Sequence, residues 1–232
     1  KTVYKAAETQ YTRSKERERS RGKDWFFMHD RTIITIGRQF GSGGREIGKK
    51  LADQLGVPFY DKELLELAAE QSGISRDVIE NYDEMPTNSL LYSLSMGNYG
   101  MGGGGPFTMP INHQIFLAQF DAIQKLSADG ACVIVGRCAD YALSKYPHLV
   151  SVFVHAEMKK RVERVCRLYN LSDKEAAERI IKVDKKRASY HNFYSTKKWG
   201  NADSYHLSVD SGAIGIDGTV DLIRLFADKK EA

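Results

Sequence analysis

The sequence predicts an α/β protein: a parallel β-sheet with helices on both faces. Three observations carry that expectation. Short, β-branched apolar runs alternate with longer runs whose apolar residues recur at helical spacing. A glycine-rich turn, "GRQFGSGGREIG" (37–48), joins the first apolar run to the first helical one. The chain has 232 residues, 42% hydrophobic and 28% charged, which suits one sizeable core, or a core plus a small mobile subdomain.

The elements follow in order. "TIITI" (32–36) is short and β-branched, the pattern of a buried strand. "GREIGKKLADQLG" (44–56) places Ile47, Leu51 and Leu55 one helical turn apart and closes on Gly56, a helix stop. "VPFYD" (57–61) is a second strand and "KELLELAAEQSG" (62–73) a second helix. "SRDVIENYDE" opens on Ser75, an N-cap residue type, and reads as a short third helix. "INHQIFLAQFDAIQKLSADG" (111–130) is an amphipathic helix with Ile115, Phe116, Phe120, Ile123 and Leu126 on one side. "ACVIVGR" (131–137) is a buried strand, followed by a short helix at "CADYALSK", and "LVSVFVHA" (149–156) is another strand. Two charged helices, "EMKKRVERVCRLYN" and "SDKEAAERIIKVDKKRASYHNFY", precede a fifth strand at "YHLSVDSG" and a closing helix at "DGTVDLIRLFADKK".

Two segments stand outside this alternation. The opening "KTVYKAAETQYTRSKERERSRGK" is basic without an apolar stripe. It reads as a solvated helix or tail, or else as an arm for nucleic acid or a protein partner. Its aromatic run "DWFF" arrives only at the end, so nucleic-acid binding is not the expectation. "MPTNSLLYSLSMGNYGMGGGGPFTMP" (85–110) contains four consecutive glycines and reads either as a surface loop or as a flap over substrate. No apolar stretch reaches the roughly 20 residues that cross a bilayer, which argues against a membrane partner. Cys132, Cys138 and Cys166 have no paired spacing, which favours reduced thiols. With the charged, signal-free beginning of the sequence, this points to the cytoplasm. The net charge is only +4.

The glycine turn carries the chemistry. In a phosphate-binding loop, glycines let backbone N–H groups face phosphate oxygens, and the following helix adds the positive end of its dipole. The usual GxxxxGK[ST] pattern puts lysine on the phosphates and a hydroxyl on magnesium. Here the last glycine of the pattern falls on Gly43, lysine's place is taken by Gly44, and the hydroxyl places by Arg45 and Glu46. Gly41, Ser42, Gly43 and Gly44 still supply a backbone cradle, with positive charge available from Arg45 or Arg38. Glu46 has two readings: a carboxylate favoured by the helix N-terminus, or a magnesium ligand in place of the hydroxyl. Arg161, Arg164 and Arg167 recur every three residues, either as a solvated face or as arginines closing over phosphates. Tyr190, Phe193, Tyr194 and Trp199 read as core or interface, or as base-stacking groups near Lys197 and Lys198. His191, without an evident partner, suits a generic polar role.

With these pieces in order the chain resembles the cytidylate kinase-like proteins, a branch of the P-loop nucleoside monophosphate kinases. The resemblance is carried by "IITIGRQFGSGGREIGKKLADQLGVPFYDKELLELAAEQSG", "NHQIFLAQFDAIQKL", "CVIVGRCADYAL" and "KKRASYHNFYSTKKWGNADSYHLSVDSG", spanning about residues 32 to 228. It implies a P-loop NTPase fold: three layers, αβα, around a five-stranded parallel sheet in the order 2-3-1-4-5, with a helical lid. Residues 1–31 are then a basic N-terminal extension and 32–232 the kinase-like domain, with the flap near 85–110 and the lid near 157–200. The implied activity is ATP-dependent phosphoryl transfer, with Mg2+, to a nucleoside monophosphate or related small acceptor. The alternative is a catalytically weak nucleotide-binding or sensory protein. The glycine-rich flap and the "WG" segment are candidate contacts for a homodimer.

Carried over residue by residue, Gly41, Ser42, Gly43 and Gly44 match the phosphate loop, with Arg38, Arg45 and Glu46 beside it. Arg137 in "VGRCAD" matches the arginine of the "DGRD" signature, and Asp184 and Arg187 in "KVDKKR" resemble the lid's Asp and Arg. Catalytic roles then fall to Arg45, Arg137, Arg164 and Arg187, and acceptor binding to Asp61, Arg137, Asp184 and Arg187. The departures are as specific as the matches. Val135 and Cys138 stand where "DGRD" has its aspartates, and the acceptor region reads "YDKELLEL", keeping Asp61 without the arginine.

Overall fold

The computed structural model describes residues 30–85 and 109–231; the basic extension up to residue 29 and the flap from 86 to 108 lie outside the described residues. Five parallel strands form one sheet: β1 (Ile33–Arg38), β2 (Phe59–Tyr60), β3 (Cys132–Val135), β4 (Leu149–His155) and β5 (Leu207–Asp210). Their order is β2-β3-β1-β4-β5, the expected 2-3-1-4-5. β1 lies in the middle, with Ile33 opposite Cys132 on one side and Leu149 on the other. This position explains its unbroken apolar sequence, since a central parallel strand is buried on both faces.

Successive β1 residues serve opposite layers, as the pleat demands. Ile34 and Ile36 pack with Ile47, Leu51 and Leu55 of helix α1 (Gly44–Leu55) and with Val220 and Ile223 of helix α8 (Ser211–Glu231). Ile33 faces the other layer, where Leu64 of α2 (Glu63–Ser72), Ile123 and Leu126 of α4 (Ile111–Ala128) and Leu143 close the core. The short helices α3 (Arg76–Tyr82) and α5 (Ala139–Ala142) complete this side. Ser75 stands at the N-cap of α3 without a side-chain capping bond. Gly56 ends α1 as expected, in the left-handed conformation with φ 69°.

The lid is a helix pair, α6 (Met158–Tyr169) and α7 (Asp173–Tyr194). A capping box starts α7: the Ser172 hydroxyl accepts from the Glu175 N–H while the Glu175 carboxylate accepts from the Ser172 N–H. Val165, Ala176 and Ile180 form a small core of their own, against which Phe40 from the glycine loop packs. The far end of α7 belongs to the body instead. Tyr190 and Tyr194 are buried, and Tyr194 stacks on Phe116 of α4 at 4.0 Å between ring centroids. These tyrosines therefore serve the core, and Trp199 meets the core residue Phe153 edge-on. The closing helix differs from expectation. It starts at Ser211, directly after β5, and passes through a non-helical Gly215 (φ 74°, ψ 178°) before continuing from the predicted stretch. Among the described residues no helix is long and apolar enough to cross a membrane.

α1 lies close to the sheet because Gly48 lacks a side chain. A Cβ there would stand 2.9 Å from Val135 Cγ2 and 3.1 Å from Ile36 Cδ1. Gly48→Ala sets a helix-propensity gain of about 1 kcal/mol against an overpacking cost of about 1–3 kcal/mol. The net expectation is a loss of about 1 kcal/mol, read from the urea denaturation midpoint.

Candidate functional site

Three strand ends meet where β1 separates β3 from β4, the place in an open α/β sheet where a crevice forms. The glycine loop closes one side of it. Gly41 (φ 82°) and Gly43 (φ 83°) both adopt the left-handed conformation, which turns the chain sharply from β1 into α1. No side chain caps α1, whose first-turn amides therefore open on the crevice end of the helix. A Cβ on Gly43 would lie 2.5 Å from Ile216 Cδ1 and 3.4 Å from Arg164 Cζ, so the loop is closely covered on that side. Ser42 is buried, its hydroxyl donating to the Gln39 carbonyl at 2.8 Å. The Ser211 hydroxyl in turn donates to the Ser42 carbonyl at 2.6 Å, tying the loop to β5.

The space of the missing lysine is filled. With Gly43 and Gly44 on the last two positions of GxxxxGK, the first glycine of the pattern falls on Arg38, the last residue of β1. A Cβ on Gly44 would stand 2.5 Å from Arg38 Cβ and 3.1 Å from its Cγ. The arginine stem thus occupies the volume a residue at 44 would use, and Gly44 is glycine because Arg38 is arginine. The guanidinium continues towards Gly136, where a Cβ would collide with Arg38 Nη1 and approach Glu84 Oε1 to 2.7 Å. Arg38 is only 9% exposed.

Around Arg38 the structure assembles a layered charge cluster. Arg38 Nη1 donates to Glu84 Oε1 at 2.7 Å, and Arg187 Nε to Glu84 Oε2 at 3.1 Å. Arg187 also donates to the Arg38 carbonyl at 3.3 Å. Arg137 is the second centre. It bonds to Asp61, to both carboxylate oxygens of Asp83 (2.9 and 3.2 Å) and to the Val135 carbonyl at 3.0 Å. Arg45 Nε reaches the other oxygen of Asp61 at 2.6 Å. Burial alone would push the Asp61 and Glu84 carboxyls up, yet the surrounding arginines hold both below the usual carboxylate range. Arg38 moves down, through burial and the charge of Arg187. Burial acts the same way on Arg137, but Asp83, Glu84 and Asp61 outweigh it and raise it.

The backbone shows where this arrangement is forced. Gly136, Arg137 and Cys138 have successive φ of 82°, 52° and 53°, and Glu84 has φ 53°. Left-handed non-glycine residues cost of order 1 kcal/mol each and persist where surrounding contacts over-determine them. Here the contacts are those of Arg137 and Glu84 themselves.

The lid contributes from the opposite wall. Arg164 pairs with Glu46 across the loop. Arg161 is buried and donates to Asp184 at 2.5 Å and to the Phe40 carbonyl at 3.3 Å, while Asp184 accepts the Phe40 N–H at 2.7 Å. Asp184 thus grips the loop backbone and does not line the main crevice. That crevice, about 710 Å³, is lined by Arg38, Gly41, Gly43, Gly44, Arg45, Glu46, Asp61, Arg137, Arg164 and Arg187 among others. A second groove of about 240 Å³, lined by Ser42, Arg164 and Arg167 among others, lies beyond the loop. The expected positive neighbours therefore divide: Arg38 and Arg164 flank the loop, whereas Arg45 turns to Asp61. Among the described residues no three His, Cys, Asp or Glu side chains are placed to hold a metal. Glu46 faces the Arg164 guanidinium. The buried Cys132 thiol is pushed up to about 12, chiefly by desolvation, which removes it as a nucleophile.

Asp83 and Glu84 escaped the sequence reading. One signal was available: two adjacent carboxylates follow α3, at the helix end whose dipole disfavours negative charge. Such a pair implies cations near by. His191 also differs from expectation, for it has partners: Nε2 lies 3.1 Å from Asp140 Oδ2 and Nδ1 lies 3.1 Å from Ser195 Oγ. All three are buried, and the contact joins α7 to the segment that follows Arg137.

The sequence matches the profile of the cytidylate kinase-like family over residues 33–213. It is similar to the crystal structure of an uncharacterized protein from Eubacterium ventriosum, with 31% identity, 85% of this chain and 98% of that chain covered, and a TM-score of 0.65. More distant likenesses include a shikimate kinase from Bacteroides thetaiotaomicron (15% identity, 85% and 98% covered, TM-score 0.48). A gluconokinase from Sinorhizobium meliloti is comparable (14% identity, 87% and 96% covered, TM-score 0.48). No curated protein matches the chain.

The charge cluster sets an acid limit. The Asp61 and Glu84 carboxyls are depressed on folding, so their contribution is complete above the unfolded carboxylate pKa of about 4 and is lost as pH falls through the folded values. Melting temperature should be level above about pH 5 and fall steeply below about pH 4. Asp61→Asn should cost about 3 kcal/mol at pH 7, by stranding buried Arg137, and flatten that acid slope. Calorimetric scans from pH 3 to 7 measure both.

Proposed function

Because the chain belongs to the cytidylate kinase-like family, we propose that it is an ATP-dependent phosphotransferase, moving the γ-phosphoryl group to a nucleoside monophosphate or a related small acceptor. The observation that carries this reading is the substitution of Arg38 for the loop lysine. The Arg38 stem lies against Gly44 and its buried guanidinium reaches Gly136, while the residue lines the crevice beside the uncapped N-terminus of α1. In this reading the amides of residues 43–46 bind phosphate oxygens. Arg38 supplies the fixed positive charge, and Arg164 exchanges Glu46 for phosphate. Arg187 reaches in from the lid. In this reading Asp61, Arg137 and Arg45 form the acceptor side, with the Asp61 carboxylate accepting a hydrogen bond from an acceptor hydroxyl. Asp184 holds the loop in register through Phe40.

The left-handed glycines and the open helix end fit a triphosphate. Magnesium neutralises charge between phosphates when it accompanies a nucleotide; the protein's own part is to bind, orient and exclude water. The three free cysteines, two of them buried, accord with a reducing cytoplasmic setting.

A second reading, a nucleotide sensor with little turnover, draws on the carboxylates that already occupy Arg38, Arg137, Arg164 and Arg187. A coupled ADP-release screen over CMP, dCMP, UMP and other acceptors, paired with ATP calorimetry, separates the two. Turnover with one acceptor supports the transferase; ATP binding without turnover across the panel supports the sensor.

Arg38→Ala should lower kcat by about 10²–10³-fold, the range for losing one preorganised donor to transition-state charge. Gly44→Lys alone should abolish ATP binding, since its Cβ cannot share space with the Arg38 stem. The double variant Arg38→Gly/Gly44→Lys restores the usual GxxxxGK spacing and should recover ATP affinity measured by calorimetry.

A further inference from the structure

We propose that Glu84 is a positioning residue for the phosphate-facing arginines: its carboxylate fixes the orientation of Arg38 and Arg187, so that two like charges stand together on the crevice wall. This inference rests on the phosphotransferase reading for its catalytic consequence, and on geometry alone for the orientation itself.

Four observations converge on Glu84. It is shared between two arginines from different elements, Oε1 with Arg38 of β1 and Oε2 with Arg187 of α7. Its own backbone is left-handed, a conformation that glycine would hold without strain. Gly136 lacks the Cβ that would come within 2.7 Å of Glu84 Oε1, so the end of β3 is cut back to admit the ion pair. Asp83, next in the chain, is anchored independently. It takes Arg137 on one side and a 3.2 Å hydrogen bond from Gln119 on the other, and Gln119 accepts from the Tyr190 hydroxyl at 3.0 Å. Glu84 is thereby delivered from a rigid neighbour.

Val135 at the end of β3 offers no carboxylate to these arginines. Glu84 brings a carboxylate to the adjacent Gly136 from a different part of the chain. Electrostatics explains why one is needed: Arg38 and Arg187 repel, and Arg187 is among the causes that lower Arg38. A bridging carboxylate removes that repulsion and leaves each guanidinium with further N–H groups for a ligand. The contribution lies in orientation more than in affinity, because Glu84 itself carries the charge that phosphate would bring.

Glu84→Gln tests this with a split that a purely structural role would not give. Removing the negative charge should leave ATP affinity unchanged or tighter by calorimetry, while kcat falls about 10²-fold as the arginines lose their shared anchor. Nitrogen-15 arginine NMR of the wild-type protein supplies a readout independent of turnover and of the variant's folding. The Nε–H signal of Arg187 should be resolved and slow to exchange in the free enzyme. ATP affinity and kcat falling together in Glu84→Gln, both remaining at wild-type values, or an Arg187 signal averaged with solvent would each overturn the proposal. Absence of wild-type turnover with every acceptor would instead sink the phosphotransferase reading, and the NMR signal and the ATP affinity of Glu84→Gln would still decide the role of Glu84.

Discussion

A guanidinium keeps its proton at any pH a protein survives, so a fold that buries one must also bury an acceptor for it. Arg38 imposes that condition on the whole crevice. Its stem excludes a side chain at Gly44, its head excludes one at Gly136, and its charge requires Glu84. Glu84 then fixes Arg187, which brings the lid helix against the end of β1. Asp83, its neighbour, satisfies Arg137, and Arg137 gathers Asp61 and, through it, Arg45. One residue at a strand end thus propagates into three glycine-or-carboxylate requirements on elements far apart in sequence.

The lid is tied to the loop by a second, separate device. Arg161 and Asp184 grip both backbone groups of Phe40, while the Phe40 ring packs against the small core between the lid helices. The helix pair and the glycine loop are therefore joined through side-chain-to-backbone hydrogen bonds. Arg164, held by exposed Glu46, has the weaker restraint, because an ion pair open to solvent is worth little. In the proposed function, the wall that rearranges for a phosphate is the lightly held one, and the wall that supplies fixed charge is the buried one.

Much of this was legible locally. Apolar alternation gave the five strands and their flanking helices because a parallel sheet buried on both faces leaves a continuous β-branched signature. The glycine turn was legible because few other sequences join a strand to a helix through two left-handed residues. The side-chain assignments were less so. Arg45 stands next to the cradle in sequence, yet one residue along a helix rotates the side chain by about 100°, which carries it to Asp61 and the ring of Phe59. Tyr190 and Tyr194, ambiguous as polar aromatics, proved to be core because α7 outlasts the lid and returns to α4.

By itself the sequence determined the layer architecture, the phosphate-loop geometry and the family, since each depends on residues within a few positions of one another. The tertiary structure decided which charges meet. Arg38 and Glu84 are 46 residues apart, Arg137 and Asp61 76, and Arg38 and Arg187 149. No period or spacing encodes such pairs. They are selected when buried charge must find its counter-charge across the strand ends, and that requirement exists only once the sheet has been built.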